Sequence, residues 1–181
     1  RVVYRGCDAI RGKCVYMLIF LAGLPRVGKT TFGKQASLVL SIPFVDLDQE
    51  IMKEHGVSCS ELYKKNPTEF RRFEEECLDF IATRYAQALI ALGGGALLSK
   101  KNQTLVKKGV TVMLTVDPEI LRHRLLKNPP VFMLDDFDNE FAKLLHERTS
   151  FFKGLTDHQF DVTYGYEDAL TFIRKALHGE Q

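Results

Sequence analysis

Residues 23 to 30 run Gly23-Leu24-Pro25-Arg26-Val27-Gly28-Lys29-Thr30, the G-x-x-x-x-G-K-[ST] spacing of a loop that wraps phosphates. In such a loop the backbone N–H groups and the start of the next helix point at the anion. Lys29 adds a point charge on the outer phosphates, and Thr30 offers its hydroxyl to Mg2+. Pro25, Arg26, Val27 and Thr31 complete the stretch that would touch a nucleotide. A phosphate donor needs an acceptor, and three further features address it. Asp46-Leu47-Asp48 closes an apolar run; read as a strand end, its period of two sends both carboxylates to one side. At the carboxyl end of a parallel strand that side is the ligand crevice of open α/β sheets. One carboxylate can then hold Mg2+ through water and the other a substrate hydroxyl, although acids at strand ends are often merely solvated. Gly93-Gly94-Gly95 lets backbone come close to a ligand, or is a plain loop. Arg71 and Arg148 can grip a carboxylate by paired N–H contacts, or can be ordinary surface arginines.

These residues need a frame. Strand-like and helix-like segments alternate along the chain, which reads as α/β with a parallel sheet. Val15 to Ala22 is a continuous apolar run, as a strand buried on both faces requires, and leads into the phosphate loop and a helix from Lys29 to Leu40. Pro43 to Leu47 is the second strand, Ala88 to Leu92 the third, Val110 to Thr115 the fourth and Phe160 to Tyr164 the fifth. Ser58 with Glu61 fits a capping box, and Asn66-Pro67-Thr68-Glu69 supplies a cap, a first-turn proline and a reciprocating glutamate. The helix that follows should present Phe70, Phe73, Cys77, Phe80 and Ile81 on one face. Asp117-Pro118 opens a helix to Lys127, and Tyr166 to Leu177 forms a terminal one. Asn128 to Asp138 lacks helical periodicity and reads as a mobile lid, counted from about 125 to 138.

Composition narrows the alternatives. With 181 residues and 45% hydrophobic side chains, one globular domain over 15–181 is expected, preceded by an extension, 1–14, of unassigned role. The formal charge of +2, from 25 basic against 23 acidic residues, lacks the basic excess of a nucleic-acid binder. Cys7, Cys14, Cys59 and Cys77 show no C-x-x-C spacing and read as reduced thiols in a cytosol. The longest apolar run, about eight residues, falls well short of the roughly twenty of a membrane helix. It follows basic residues as in a secretory signal, but without a small-residue cleavage site.

The ordered set of motifs resembles the shikimate kinases, small P-loop phosphotransferases of the nucleoside-monophosphate-kinase class. It comprises the phosphate loop, F-V-D-L-D-Q-E-I from Phe44, E-F-R-R-F-E-E from Glu69, L-G-G-G-A from Leu92 and H-E-R from His146. The resemblance implies a three-layer fold whose five-stranded parallel sheet has the order 2-3-1-4-5. It also implies a monomeric cytoplasmic enzyme that moves the γ-phosphoryl group of ATP, with Mg2+, to the 3-hydroxyl of shikimate. Lys29 would hold phosphates, Thr30 and Asp46 would serve the metal, and Asp48 would orient the accepting hydroxyl. Arg71 and Arg148 would bind the shikimate carboxylate, Gly93, Gly94 and Gly95 would line its site, and Arg124 would lie against adenine. Two departures stand out. Asn128 precedes Pro129 where the family's lid carries an arginine that reaches the phosphates, leaving Lys127 or Arg26 to supply the charge. Arg26 itself sits in a loop that the family fills with small residues. The competing expectations are a kinase of another small hydroxy acid such as gluconate, and a nucleotide-binding module with little turnover.

Overall fold

The computed structural model describes residues 17–148, 151–152, 154–156 and 158–179, with the side chains of residues 147 and 148 outside that set. The expected extension 1–14 and the first two residues of the Val15 run lie outside it too. The strands are β1 (Met17–Ala22), β2 (Phe44–Asp46), β3 (Gln87–Ala91), β4 (Val110–Thr115) and β5 (Gln159–Asp161). They pair in parallel in the order β2-β3-β1-β4-β5. Helices α1 (Lys29–Leu40), α2 (Leu47–His55), α3 (Cys59–Lys65), α4 (Pro67–Arg84) and α5 (Lys100–Val106) follow in chain order. After them come α6 (Pro118–Lys127), α7 (Phe137–Lys143) and α8 (Glu167–His178).

The central strand explains the layering. Ile19 and Leu21 of β1 pack into one core with Phe32 of α1, Leu121 and Leu125 of α6 and Ile173 of α8. Their neighbours Phe20 and Ala22 face the opposite core, with Leu47 and Ile51 of α2 and Leu78 and Ile81 of α4. A strand that buries both faces has no position for a charge, which is why its sequence is uniformly apolar. Each fully buried aliphatic or aromatic side chain contributes about 1.5–3 kcal/mol. Carried at the carboxyl end of this strand, the phosphate loop inherits a rigid base.

Several elements differ from the expectation. β2 stops at Asp46, and Leu47 already belongs to α2, because the Asp46 carboxylate accepts the Gln49 N–H and caps that helix. Asn66 caps α4 by accepting from the Glu69 N–H, but its own N–H donates to Leu62 O at the end of α3. Glu69 therefore finds no donor there to reciprocate. On α4 the buried face is Phe70, Glu74, Cys77, Leu78 and Ile81, while Phe80, about 100° around the helix from the middle of that face, is 59% exposed. The strand expected from Phe160 to Tyr164 is confined to Gln159–Asp161, and Tyr164 is fully exposed. The segment read as a lid has structure of its own: a single turn at Val131–Met133 buries Met133 in the core, and Phe137 and Asp138 already lie in α7 behind an Asp136 cap.

Candidate active site

The phosphate loop has the backbone that its sequence requires. Gly23 and Gly28 take φ values of 144° and 113°, in the region that L side chains rarely enter. Gly28 leads directly into α1, so the helix N-terminus opens on the loop. Lys29 Nζ donates to the carbonyls of Gly23 at 2.9 Å and Leu24 at 3.0 Å, bridging the loop's entrance. Burial lowers its pKa to about 8, against the opposing pull of Asp48 and Asp46. The Val27 side chain is buried in the core, so only its backbone is available to a ligand. Arg124 Nη1 donates to the carbonyls of Arg26 at 3.3 Å and Val27 at 3.1 Å, clamping the loop's outer turn from α6.

Thr30 Oγ1 donates to Asp46 Oδ2 at 2.6 Å, which brings a hydroxyl and a carboxylate side by side where the loop meets α1. Two oxygens of this kind at a phosphate cavity are the donor set that a hard divalent cation prefers. Asp48 lies in the first turn of α2 rather than on a strand. The two acids converge not by strand alternation but because the chain turns from β2 into α2 between them. Burial raises the pKa of Asp48, Asp46 raises it further, and Lys29 and Arg71 pull it back.

Two adjoining cavities meet at this turn. The larger, about 470 Å³, is lined by Arg26, Gly28, Lys29, Thr30, Thr31, Asp46 and Asn128. The other, about 370 Å³, is lined by Arg71, Glu74, Cys59, Tyr63, Phe70 and Gly95, with Glu140, Lys143 and Leu144 closing it from the side of α7. Pro25, Asp48, Ser60, Gly94 and Pro130 line both. Arg71 pairs with the buried Glu74 and lies 5.4 Å from the centres of the Tyr63 and Phe70 rings. Glycine is needed at three successive positions because other site groups occupy the space. A Cβ at Gly93 would meet Asp48 Oδ1 at 2.7 Å, one at Gly94 the Pro25 ring at 2.8 Å, and one at Gly95 the Arg71 guanidinium at 2.5 Å.

Most of the expected site residues thus come together, with qualifications. Gly93 lines neither cavity and instead makes room for Asp48 and Glu74. Arg124 reaches the loop's carbonyls and lines neither cavity. Lys127, a candidate for the missing lid charge, is exposed and lines neither cavity, whereas Arg26 and Asn128 line the first. The Arg148 side chain lies outside the described residues. Sequence reasoning missed Glu74, whose i,i+3 spacing from Arg71 marks an ion pair on a helix. It also missed Ser60, Tyr63 and Cys59. The Cys59 thiol donates to Asp48 O at 3.4 Å and is pushed up to about 12, chiefly by burial. No sequence signal marks it as a site residue.

Comparison with known proteins identifies the family. The family model for shikimate kinase matches residues 25–176. A shikimate kinase of Caldanaerobacter subterraneus subsp. tengcongensis is 32% identical over 148 residues, spanning 80% of this chain and 86% of the relative. Among solved structures, the shikimate kinase of Acinetobacter baumannii in complex with shikimate superposes with a TM-score of 0.79 at 25% identity, over 90% of this chain and 93% of that one. The enzyme of Bacteroides thetaiotaomicron gives 0.76 at 27% identity, over 90% and 98%. With the family model spanning most of the sequence and a relative 32% identical over 80% of the chain, the chain belongs to the shikimate kinase family.

Proposed function

We propose that this protein transfers the γ-phosphoryl group of ATP to the 3-hydroxyl of shikimate, giving shikimate 3-phosphate and ADP on the route to chorismate and the aromatic amino acids. The observation that carries the reading is Asp48, which lines both cavities and so stands between a phosphate donor on one side and an arginine-lined acceptor on the other. The Lys29 ammonium leaves the loop carbonyls for the phosphates and stabilises charge spread over the transferring group. Mg2+ neutralises phosphate charge when bound, and Thr30 and Asp46 are the residues that would hold it. Asp48, as the anion, accepts the hydrogen bond of the attacking hydroxyl and aims it; a loose transition state needs orientation more than proton removal. Arg71, fixed by Glu74 and flanked by two rings, meets the shikimate carboxylate, with Arg148 as its second partner. Gly94 and Gly95 line the ring's side of the cavity. Arg124 holds the loop's shape next to the nucleotide.

The proposal includes a single domain over 15–181 and, from the resemblance, a monomer in the cytoplasm. Coupled ADP release tests it with three acceptor conditions: shikimate, gluconate and none. ADP release that depends on shikimate is the expected result. Release that favours gluconate, or that is the same without any acceptor, overturns the assignment, and ATP binding with no turnover leaves only a nucleotide-binding module.

A further inference from the structure

We propose that Arg26, from within the phosphate loop, contacts the outer phosphates of the nucleotide and is a catalytic residue of this enzyme. The inference rests on the reading of the site as a phosphoryl-transfer centre. Its first support is a count of charge. Among the described residues lining the phosphate cavity the only cations are Lys29 and Arg26, and they face the carboxylates of Asp46 and Asp48. On the described lining, two cations and two carboxylates therefore balance before any phosphate enters. Mg2+ at Thr30 and Asp46 would offset part of a triphosphate's charge, and on the described lining Arg26 is the protein cation besides Lys29 that is placed to meet the rest. The opposite lip does not provide another, because Asn128, Pro129 and Pro130 are uncharged and Lys127 lies outside the cavity.

Backbone conformation is the second support and is independent of charge. Arg26 has φ 64°, the left-handed region where glycine is at ease and a long side chain is strained. Ser41, the other non-glycine residue with positive φ among those described, closes a helix, where that conformation is ordinary. Arg26 caps nothing. Its carbonyl is held by Arg124 Nη1, which fixes the strained turn, while its guanidinium has no hydrogen bond or ion pair with any described residue. Arg71, Arg72 and Arg122, by contrast, pair with Glu74, with Glu69 and Glu76, and with Asp138. Arg174 also lacks such a partner among the described residues, but it lies away from the cavity that Arg26 lines. A turn position that favours glycine is filled by an exposed arginine that lines the phosphate cavity, and an anion in that cavity accounts for its presence. The planar guanidinium offers paired N–H donors to phosphate oxygens and stays charged at any working pH.

The Arg26→Gly variant separates this role from a structural one, because glycine suits the backbone while removing the charge. The expected result is a loss in kcat of about a hundredfold, with a melting temperature equal to or above the parent's and a KM for shikimate within about twofold. R26K recovers part of kcat, since a point charge survives, and R26G combined with Asn128→Arg recovers at least about tenfold by returning the charge from the opposite lip. Lys127→Ala leaves kcat at the parental value. Calorimetric titration without acceptor supplies a separate arm: R26G loses affinity for ATP more than for ADP. If shikimate is not the acceptor, the parent releases no shikimate-dependent ADP, yet the selective loss of ATP affinity persists. R26G with parental kcat and an unchanged ATP-to-ADP preference overturns the inference. So does an R26G protein that melts lower, with R26K equally impaired, because that pattern belongs to a structural residue.

Discussion

Replacing Gly95 by alanine adds one methyl group at the point where the glycine triplet makes room for Arg71. The added Cβ would stand 2.5 Å from both terminal nitrogens of the guanidinium, and ordinary contact begins at 3.4 Å, so the head group must retreat by about 0.9 Å. It cannot do so freely, because Glu74 holds it by an ion pair and the rings of Tyr63 and Phe70 flank it. The backbone at Gly95, with φ −116°, accepts alanine without strain, so the fold should be left alone. A charge-assisted hydrogen bond is worth about 1.5–3 kcal/mol, and at 1.4 kcal/mol per factor of ten its loss raises the KM for shikimate by about tenfold to a hundredfold. Gly93→Ala provides the contrast, because its methyl meets Asp48 Oδ1 at 2.7 Å and should disturb kcat before KM. The assay is steady-state ADP release with each substrate varied in turn, beside a thermal melt. If G95A leaves the shikimate KM at the parental value, or raises the ATP KM equally, then Arg71 does not hold the acceptor and the division between the two cavities is wrong.

Two further outcomes follow from the electrostatics. Because the folded environment raises the pKa of Asp48, its ionised form is less favourable folded than unfolded; Asp48→Asn should melt higher than the parent while losing about a hundredfold or more in kcat. Kinetics and a melt on one preparation check both halves. The pH profile of kcat/KM for ATP should fall as pH rises through about 8, where free Lys29 loses its proton, whereas the fall in kcat should come at higher pH because bound phosphates favour the ammonium. Coincident alkaline limbs in the two profiles would remove Lys29 as their source.

How far the sequence could be read depended on whether a signal was local. α6 and β4 match their expected bounds because Asp117 and Pro118 mark a helix start chemically and because β4 is a short run of apolar and β-branched residues. The phosphate loop was legible for the same reason: its glycines, lysine and threonine act through their own backbone and spacing. Asp46 misled because Leu47 continues the apolar run of the strand, although Gln49 three residues on carries the spacing of a helix cap. Phe80 looked like core on a helical wheel and is exposed, since which side of α4 is buried depends on where α2 and α5 lie against it. The convergence of Arg71, Glu74 and Gly95 lies furthest from any local signal. It is set by the packing of α4 against the loop after β3, and no spacing within one segment reports it.

The central claim is that Asp48 presents one particular hydroxyl to the phosphate held by Lys29. Phosphorus and proton NMR of the product formed from ATP and shikimate tests it most directly, by locating the new ester on the ring. The account predicts a single ester at the 3-hydroxyl, formed in step with ADP and absent when Lys29 is replaced by alanine. An ester on a different hydroxyl, a mixture of positions, or inorganic phosphate with unmodified shikimate would contradict it.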